Sequence, residues 1–249
     1  MSESPAPYEI QPLTVAERLR AILAGMPSDL PVDAAAPAAD SPPGRILAAA
    51  RDLCAEHGFG GVTVRAVAQQ ADVNPAMINY YFGTKDHLVD AVLTQQLQQL
   101  LRDVLTGIDP DASGQEVLAG FPLRILESFR RDPRRMHLVR VAISTEPDRL
   151  RRIIRSLGDN SVLGISRVMH DLVAELQRAG RVVDLPPRSV MLFLVANAYG
   201  LVFMEQVARE VTGFELDNDE HWAEHKAGLG QLLKHGLLAC DGGKAGGNA

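Results

Sequence analysis

The stretch "VNPAMINYYFGTK", residues 73–85, gathers hydrogen-bonding side chains on a very short segment. Asn79 carries a donor and an acceptor side by side, and Tyr80 and Tyr81 each end in a hydroxyl. An amide can pair with two atoms of one planar partner, and a phenol can bind a phosphate oxygen. Ala76 and Met77 add small or apolar contact surface next to them. The sequence offers no phosphate loop, nucleophile elbow or dinucleotide fingerprint. These residues therefore read as a recognition surface, and no enzyme is expected.

Pro75 suits a helix start and Gly83 a stop, which predicts a helix of about eight residues, roughly 12 Å long. At about 100° per residue, Ile78 and Phe82 fall within roughly 40° of each other and, with Val73, form an apolar anchor. Ala76 and Tyr80 then point almost opposite, with Met77 and Asn79 on their flanks. Upstream, a helix opens at Pro43, repeats Ile46, Ala50, Leu53 and Cys54 at helical spacing, and ends at Gly58. A second opens at Thr63 as N-cap and buries Val64, Val67, Ala68 and Ala71. A long helix follows from Thr84 to about Thr106.

Residues 45–82 thus have the rhythm of a three-helix DNA-binding unit, whose last two helices form a helix-turn-helix. The short third helix matches a major groove about 12 Å wide. Asn79 suits adenine, Ala76 or Met77 a thymine methyl, and the tyrosine hydroxyls phosphate oxygens. Thr63 and Lys85 sit at or near helix starts, where unpaired backbone N–H groups favour an anion. Lying on either side of the reading helix, they can grip opposite phosphate strands, with Arg65 as a further phosphate or minor-edge candidate.

The segment "ILAAARDLCAEHGFGGVTVRAVAQQADVNPAMINYYFGTKDHLVDAVL" resembles the N-terminal domain of the TetR family of bacterial transcriptional repressors. The Gly58-Phe59 break, Thr63, the Val67-Ala68 pair, Val73, "YYF", Lys85 and Leu88 carry the resemblance. It implies DNA contacts from Thr63, Arg65, Pro75, Ala76, Met77, Asn79, Tyr80, Tyr81 and Lys85. The family often has a tyrosine where Asn79 stands and a histidine where Tyr81 stands, so the operator is not inherited. Residues 45–90 hold four bases against five acids, which predicts a shallow salt dependence of DNA binding.

The rest of the chain reads as helical, over 115–131, 133–145, 147–157, 160–179, 187–211 and 218–238, with no strand pattern. The expected fold is all-α: a helix-turn-helix domain at 43–90 and a helical regulatory and dimerisation domain at 91–240. Residues 1–42 form an acidic, Ala/Pro-rich extension with six acids against two bases and room for one short helix at Thr14–Ala24. A disordered arm, masking the DNA face or tethering a partner, is the alternative for it. Residues 241–249 read as a flexible tail. The formal charge of −6 argues against a protein that coats nucleic acid everywhere. The longest apolar run, Val190 to Met204, contains Asn197 and is too short to span a membrane well. A cytoplasmic protein without membrane attachment is expected.

The resemblance further implies a homodimer joined through the last two long helices. Val190, Leu194, Asn197 or Ala198, and Leu201 follow helical spacing and are the candidate interface, with Gly200 permitting close approach. A small-molecule effector of unknown identity is expected in the regulatory domain, with Met136, Arg140, Met169, Val173, Phe193, Asn197 and Phe203 as candidate contacts. Ten arginines against four acids in 121–156 read as either a solvated face or a site for an anionic ligand such as an acyl-coenzyme A. Cys54 and Cys240 are not metal-spaced, and His221 and His225 in "HWAEH" lack the HExxH glutamate. No metal or cofactor is expected. Double-stranded operator DNA is the expected partner; a helical ligand-binding or adaptor protein that does not use DNA is the alternative.

Overall fold

The computed structural model describes residues 13–26 and 38–237, and these are helical throughout, joined by turns. The N-terminal unit comprises α2 (Pro42–Gly61), α3 (Val64–Gln70) and α4 (Pro75–Phe82), followed by the long α5 (Lys85–Thr106). Side-chain caps explain the starts: Ser41, Thr63, Asn74 and Thr84 each accept from a backbone N–H in the helix that follows. Gly58 sits at φ +70° inside the last stretch of α2 and kinks it, and Gly83 turns the chain from α4 into α5 at φ +74°.

The regulatory unit adds α6 (Gly114–Arg131), α7 (Pro133–Thr145), α8 (Pro147–Leu157), a short 3-10 turn (Gly158–Asn160), α9 (Val162–Arg178), α10 (Pro187–Phe203), α11 (Glu205–Thr212) and α12 (Asp219–Gly236). Pro133, Pro147 and Pro187 occupy first-turn positions, where a missing N–H costs nothing. Two hydrophobic cores share α5. Its residues from Leu88 to Leu97 pack with α2, α3 and α4, and those from Leu100 to Leu105 pack with α6, α9 and α10. The N-terminal core does not stop at the expected boundary near residue 90: Leu138 and Ala142 of α7 and Ile153 of α8 are buried in it too.

The segment expected as one helix at 187–211 is two, bent by 79° at Met204. Val202 is the last core residue of α10, and Glu205 turns aside to pair with Arg140 at 3.7 Å. The expected N-terminal helix exists as α1 (Val15–Ala24), held by a capping box between Thr14 and Glu17. It is docked and not a free arm: Ala16, Leu19, Ile22 and Met26 are buried in the regulatory core, and Arg18 makes a two-pronged ion pair with Glu175 at 2.9 and 3.0 Å. The acidic stretches flanking α1, the 241–249 tail and Cys240 lie outside the described residues. Cys54 is fully buried, and burial pushes its thiol up to about 11, so it is an inert packing residue.

Candidate nucleic-acid interface

The geometry of α4 follows from its two apolar residues. Ile78 is fully buried and Phe82 nearly so, which clamps one face of the helix onto α2, α3 and α5. The opposite face must then meet solvent. Pro75, Ala76, Asn79 and Tyr80 are exposed, Tyr80 to 82%. The Tyr80 hydroxyl is thus displayed at the surface, free to bond a partner's phosphate oxygen. Tyr81 and Met77 are half-buried and lean on the N-terminal core, and the Tyr81 ring meets Tyr80 edge-on at 5.0 Å. That contact braces Tyr80 from the side.

The flanking residues stand as the sequence suggested. Thr63 is exposed and accepts from the Ala66 N–H at 3.1 Å, which leaves its hydroxyl hydrogen free to donate outward. Arg65 is exposed in the first turn of α3, and Lys85 opens α5, half-buried. Among the described residues neither has a carboxylate partner. The turn between α3 and α4 holds Asp72 at φ +51°, a left-handed conformation that aspartate tolerates better than most side chains. Arg45 fastens that turn, donating to the carbonyl oxygens of Ala71 (3.1 Å) and Asp40 (2.8 Å).

Asp86 and Asp90 follow Lys85 closely, and on charge alone they would repel phosphate. Arg149 of α8 answers both, at 2.9 Å from Asp86 and 3.5 Å from Asp90, and it also approaches Glu146 at 3.5 Å. Its hydrogen bond, and then its charge, hold the Asp86 carboxyl below its ordinary value. The local acid excess is thus met largely from the regulatory unit, with a smaller contribution from the Lys85 charge to Asp86. Asn74 and Thr84, the caps of α4 and α5, were missed as site-building residues; Asn before Pro-Ala and Thr before Lys-Asp are the signals that could have found them.

The regulatory residues fall elsewhere than expected. Val190, Leu194 and Ala198 are buried, but against their own chain, because they form the inner stripe of α10; only Leu201 of that set keeps some exposure. The outward face carries Phe193 (53% exposed) and Phe203 (41%), with Ala196 and Gly200 between them; Val207 and Val211 of α11 and Leu232 of α12 are exposed as well. The candidate effector contacts do not converge. Met136, Met169 and Val173 are core residues, Arg140 is tied to Glu205 and His137, and Phe193 and Phe203 point outward. Asn197 is half-buried, with an Oδ1 that finds no partner. None of the seven lines the cavity of about 520 Å³ that opens between α5, α6, α7, α8, α9 and α10. Its walls are almost wholly aliphatic and aromatic, among them Leu101, Ile125, Val139, Ile154 and Tyr199, with Ser166, His170 and Arg188 where one end meets solvent.

Residues 46–92 match the family model of bacterial regulatory proteins, tetR family. The chain is 44% identical over 57 residues to an HTH-type transcriptional repressor of Mycobacterium tuberculosis, a match covering 23% of this chain and 30% of that one. It is 34% identical over 74 residues to the HTH-type transcriptional regulator BetI of Brucella canis, covering 30% and 37%. The chain therefore spans about a third of the length of these curated relatives. In overall fold it is similar to the fatty acid degradation regulator FadR from Bacillus halodurans, with a TM-score of 0.59, 16% identity and coverage of 77% of this chain and 93% of that one.

Proposed function

We propose that this chain, a member of the TetR family of bacterial transcriptional regulators, is a cytoplasmic repressor that binds a near-palindromic operator as a homodimer and is released by a small-molecule inducer. One observation carries the reading: α4 buries Ile78 and Phe82 and turns Ala76, Asn79 and Tyr80 outward, between the anion-favouring starts of α3 and α5. Asn79 reads a base edge, Ala76 admits the helix to the groove, and Pro75 and Met77 border it. Thr63, Arg65, Tyr80, Tyr81 and Lys85 hold phosphates and set the register.

The dimer forms through the outward face of α10 together with α12, with Phe193 and Phe203 as anchors. Two-fold pairing sets two reading helices about 34–36 Å apart, or a multiple, which explains the operator's symmetry. The inducer occupies the apolar cavity. α8 and α5 carry its effect, since Leu150 and Ile154 of α8 line that cavity while Arg149 ties the same helix to Asp86 and Asp90. A typical coupling of about 1–3 kcal/mol changes operator affinity 5- to 150-fold. Selection of bound fragments from a random DNA pool by the full-length protein tests the reading. A near-palindrome should emerge with wild type and vanish with the double substitution Tyr80→Ala and Lys85→Ala. Recovery of no consensus by the wild type would refute it.

A further inference from the structure

We propose that the effector is an amphipathic anion, its apolar body seated in the cavity and its phosphate or carboxylate head held by Arg151 and Arg155 on α8. The inference rests on the cavity being the effector site and adds the chemistry and polarity of what fills it.

The ten arginines of 121–156 looked alike in the sequence, and the structure separates them. Arg124 donates to the backbone oxygens of Gly107 and Val117. Arg130, Arg131, Arg134, Arg135, Arg140 and Arg149 each reach a carboxylate on another element or a turn away. Six of these seven reach another element, and Arg131 pairs with Glu127 on its own helix. Arg151 meets only Asp148, one turn back on its own exposed helix, at 2.9 Å. Arg152 and Arg155 are exposed and have no carboxylate partner among the described residues.

Arg151 and Arg155 stand one helical turn apart on the rim of a second cleft, of about 400 Å³. Ile143, Leu150 and Ile154 line both this cleft and the 520 Å³ cavity, so the two adjoin along these apolar side chains. At about 30 Å³ for each water-sized group, the inner cavity accepts roughly 17 such groups, an apolar chain or ring system of moderate size. A molecule lying along that wall places its body among aliphatic side chains and its head between two guanidiniums. The α9–α10 end of the cavity offers fewer cations: Arg188 is a single guanidinium there.

The position on α8 also gives the head a lever. Ile153, two residues from both Arg151 and Arg155, is buried in the N-terminal core, and Arg149, two residues before Arg151, holds Asp86 and Asp90 beside Lys85. A head drawing Arg151 and Arg155 shifts the helix that anchors the start of α5.

Calorimetric titration of the full-length protein with dodecyl phosphate, dodecanoate and dodecanol, each below its micelle-forming concentration, tests the proposal. At least one of the two anions should bind more tightly than dodecanol, and the tighter one identifies the head. The double substitution Arg151→Gln and Arg155→Gln on the surface should weaken that anion about tenfold and leave dodecanol unchanged. Shortening the chain by two methylenes should weaken binding roughly fifteenfold. Binding of none of the three, equal binding of dodecanol and the anions, or a loss produced by Arg188→Gln and not by the α8 pair would overturn it. These readouts use no DNA, so their failure leaves operator recognition standing. A bound anion that does not release the operator would instead refute the inducer role while keeping the site.

Discussion

α4 and α10 are both helices nearly without charge, and they use their surfaces in opposite ways. α4 has one apolar stripe, Ile78 and Phe82, and everything across from it is displayed. α10 is apolar on three sides: one stripe enters the core, one borders the cavity, and one faces outward with Phe193 and Phe203. A single stripe fixes a helix's orientation uniquely, whereas three leave the assignment to packing. On the proposed function, the difference separates a surface that reads with its exposed polar groups from one that a second copy covers.

The largest expected effect concerns how the two units are held. In the regulatory unit Arg135 is 7% exposed and lies within hydrogen-bonding reach of Asp103, Ser128 and Asp132. Asp103→Ala leaves that guanidinium with Asp132 as its one remaining carboxylate, and denaturant unfolding should show a loss of about 2–3 kcal/mol. The corresponding surface pair of the N-terminal unit, Asp52 with Arg134 at 3.3 Å, should cost less than about 1 kcal/mol when Asp52 becomes Ala. Burial raises the Asp103 carboxyl, but hydrogen bonds from Gln99, Ser128 and Arg135 and the Arg135 charge outweigh it and leave the group lowered. Its contribution is therefore complete above the unfolded value near 3.9 and is lost as pH falls through the lower folded value. Acid unfolding followed by circular dichroism should show this midpoint shifting upward in Asp103→Asn.

Next in size is the covered face. Phe193→Asp should weaken self-association by about 2 kcal/mol or more, seen as monomer in sedimentation equilibrium, with little change in helicity. Val190→Ala should instead lower stability, by about 0.5–3 kcal/mol, because that side chain packs against its own chain. If the two substitutions exchanged effects, the assignment of faces on α10 would be inverted.

How far each region could be read from sequence follows from the same contrast. The reading helix, its anchor, and the exposure of Asn79 and Tyr80 were legible because Pro75, Gly83 and one apolar stripe admit a single orientation. The docking of α1 was half legible: a short helix was one of two readings, but its buried set, Ala16, Leu19, Ile22 and Met26, packs on the regulatory core, and no local spacing names that partner. The inner role of Val190, Leu194 and Ala198 was not legible, since a helix with three apolar faces shows no preferred period. The cavity was invisible for another reason. Its walls come from six helices spread over residues 97–199, and no local spacing encodes a space between them. The six arginines that reach another element also looked identical to the rest, because their partners, such as Asp52, Asp86 and Asp219, lie far away in the chain.

On the displayed face, Asn79→Ala should cost about 1–3 kcal/mol of operator affinity and relax the base preference at one position per half-site, with stability unchanged. The smallest effect belongs to the periphery. Arg65→Ala should reduce the slope of log affinity against log salt by about 0.9 and weaken all sequences alike. An altered base preference would make Arg65 a reader of sequence and not a phosphate contact.

The most direct examination of α4 as a groove-reading helix is guanine-N7 methylation interference on the recovered operator. Two patches of major-groove interference should appear, related by a dyad and separated by about 10 base pairs or a multiple of that. A single patch, or interference absent from the major groove, would contradict the placement of Asn79 and its neighbours against base edges.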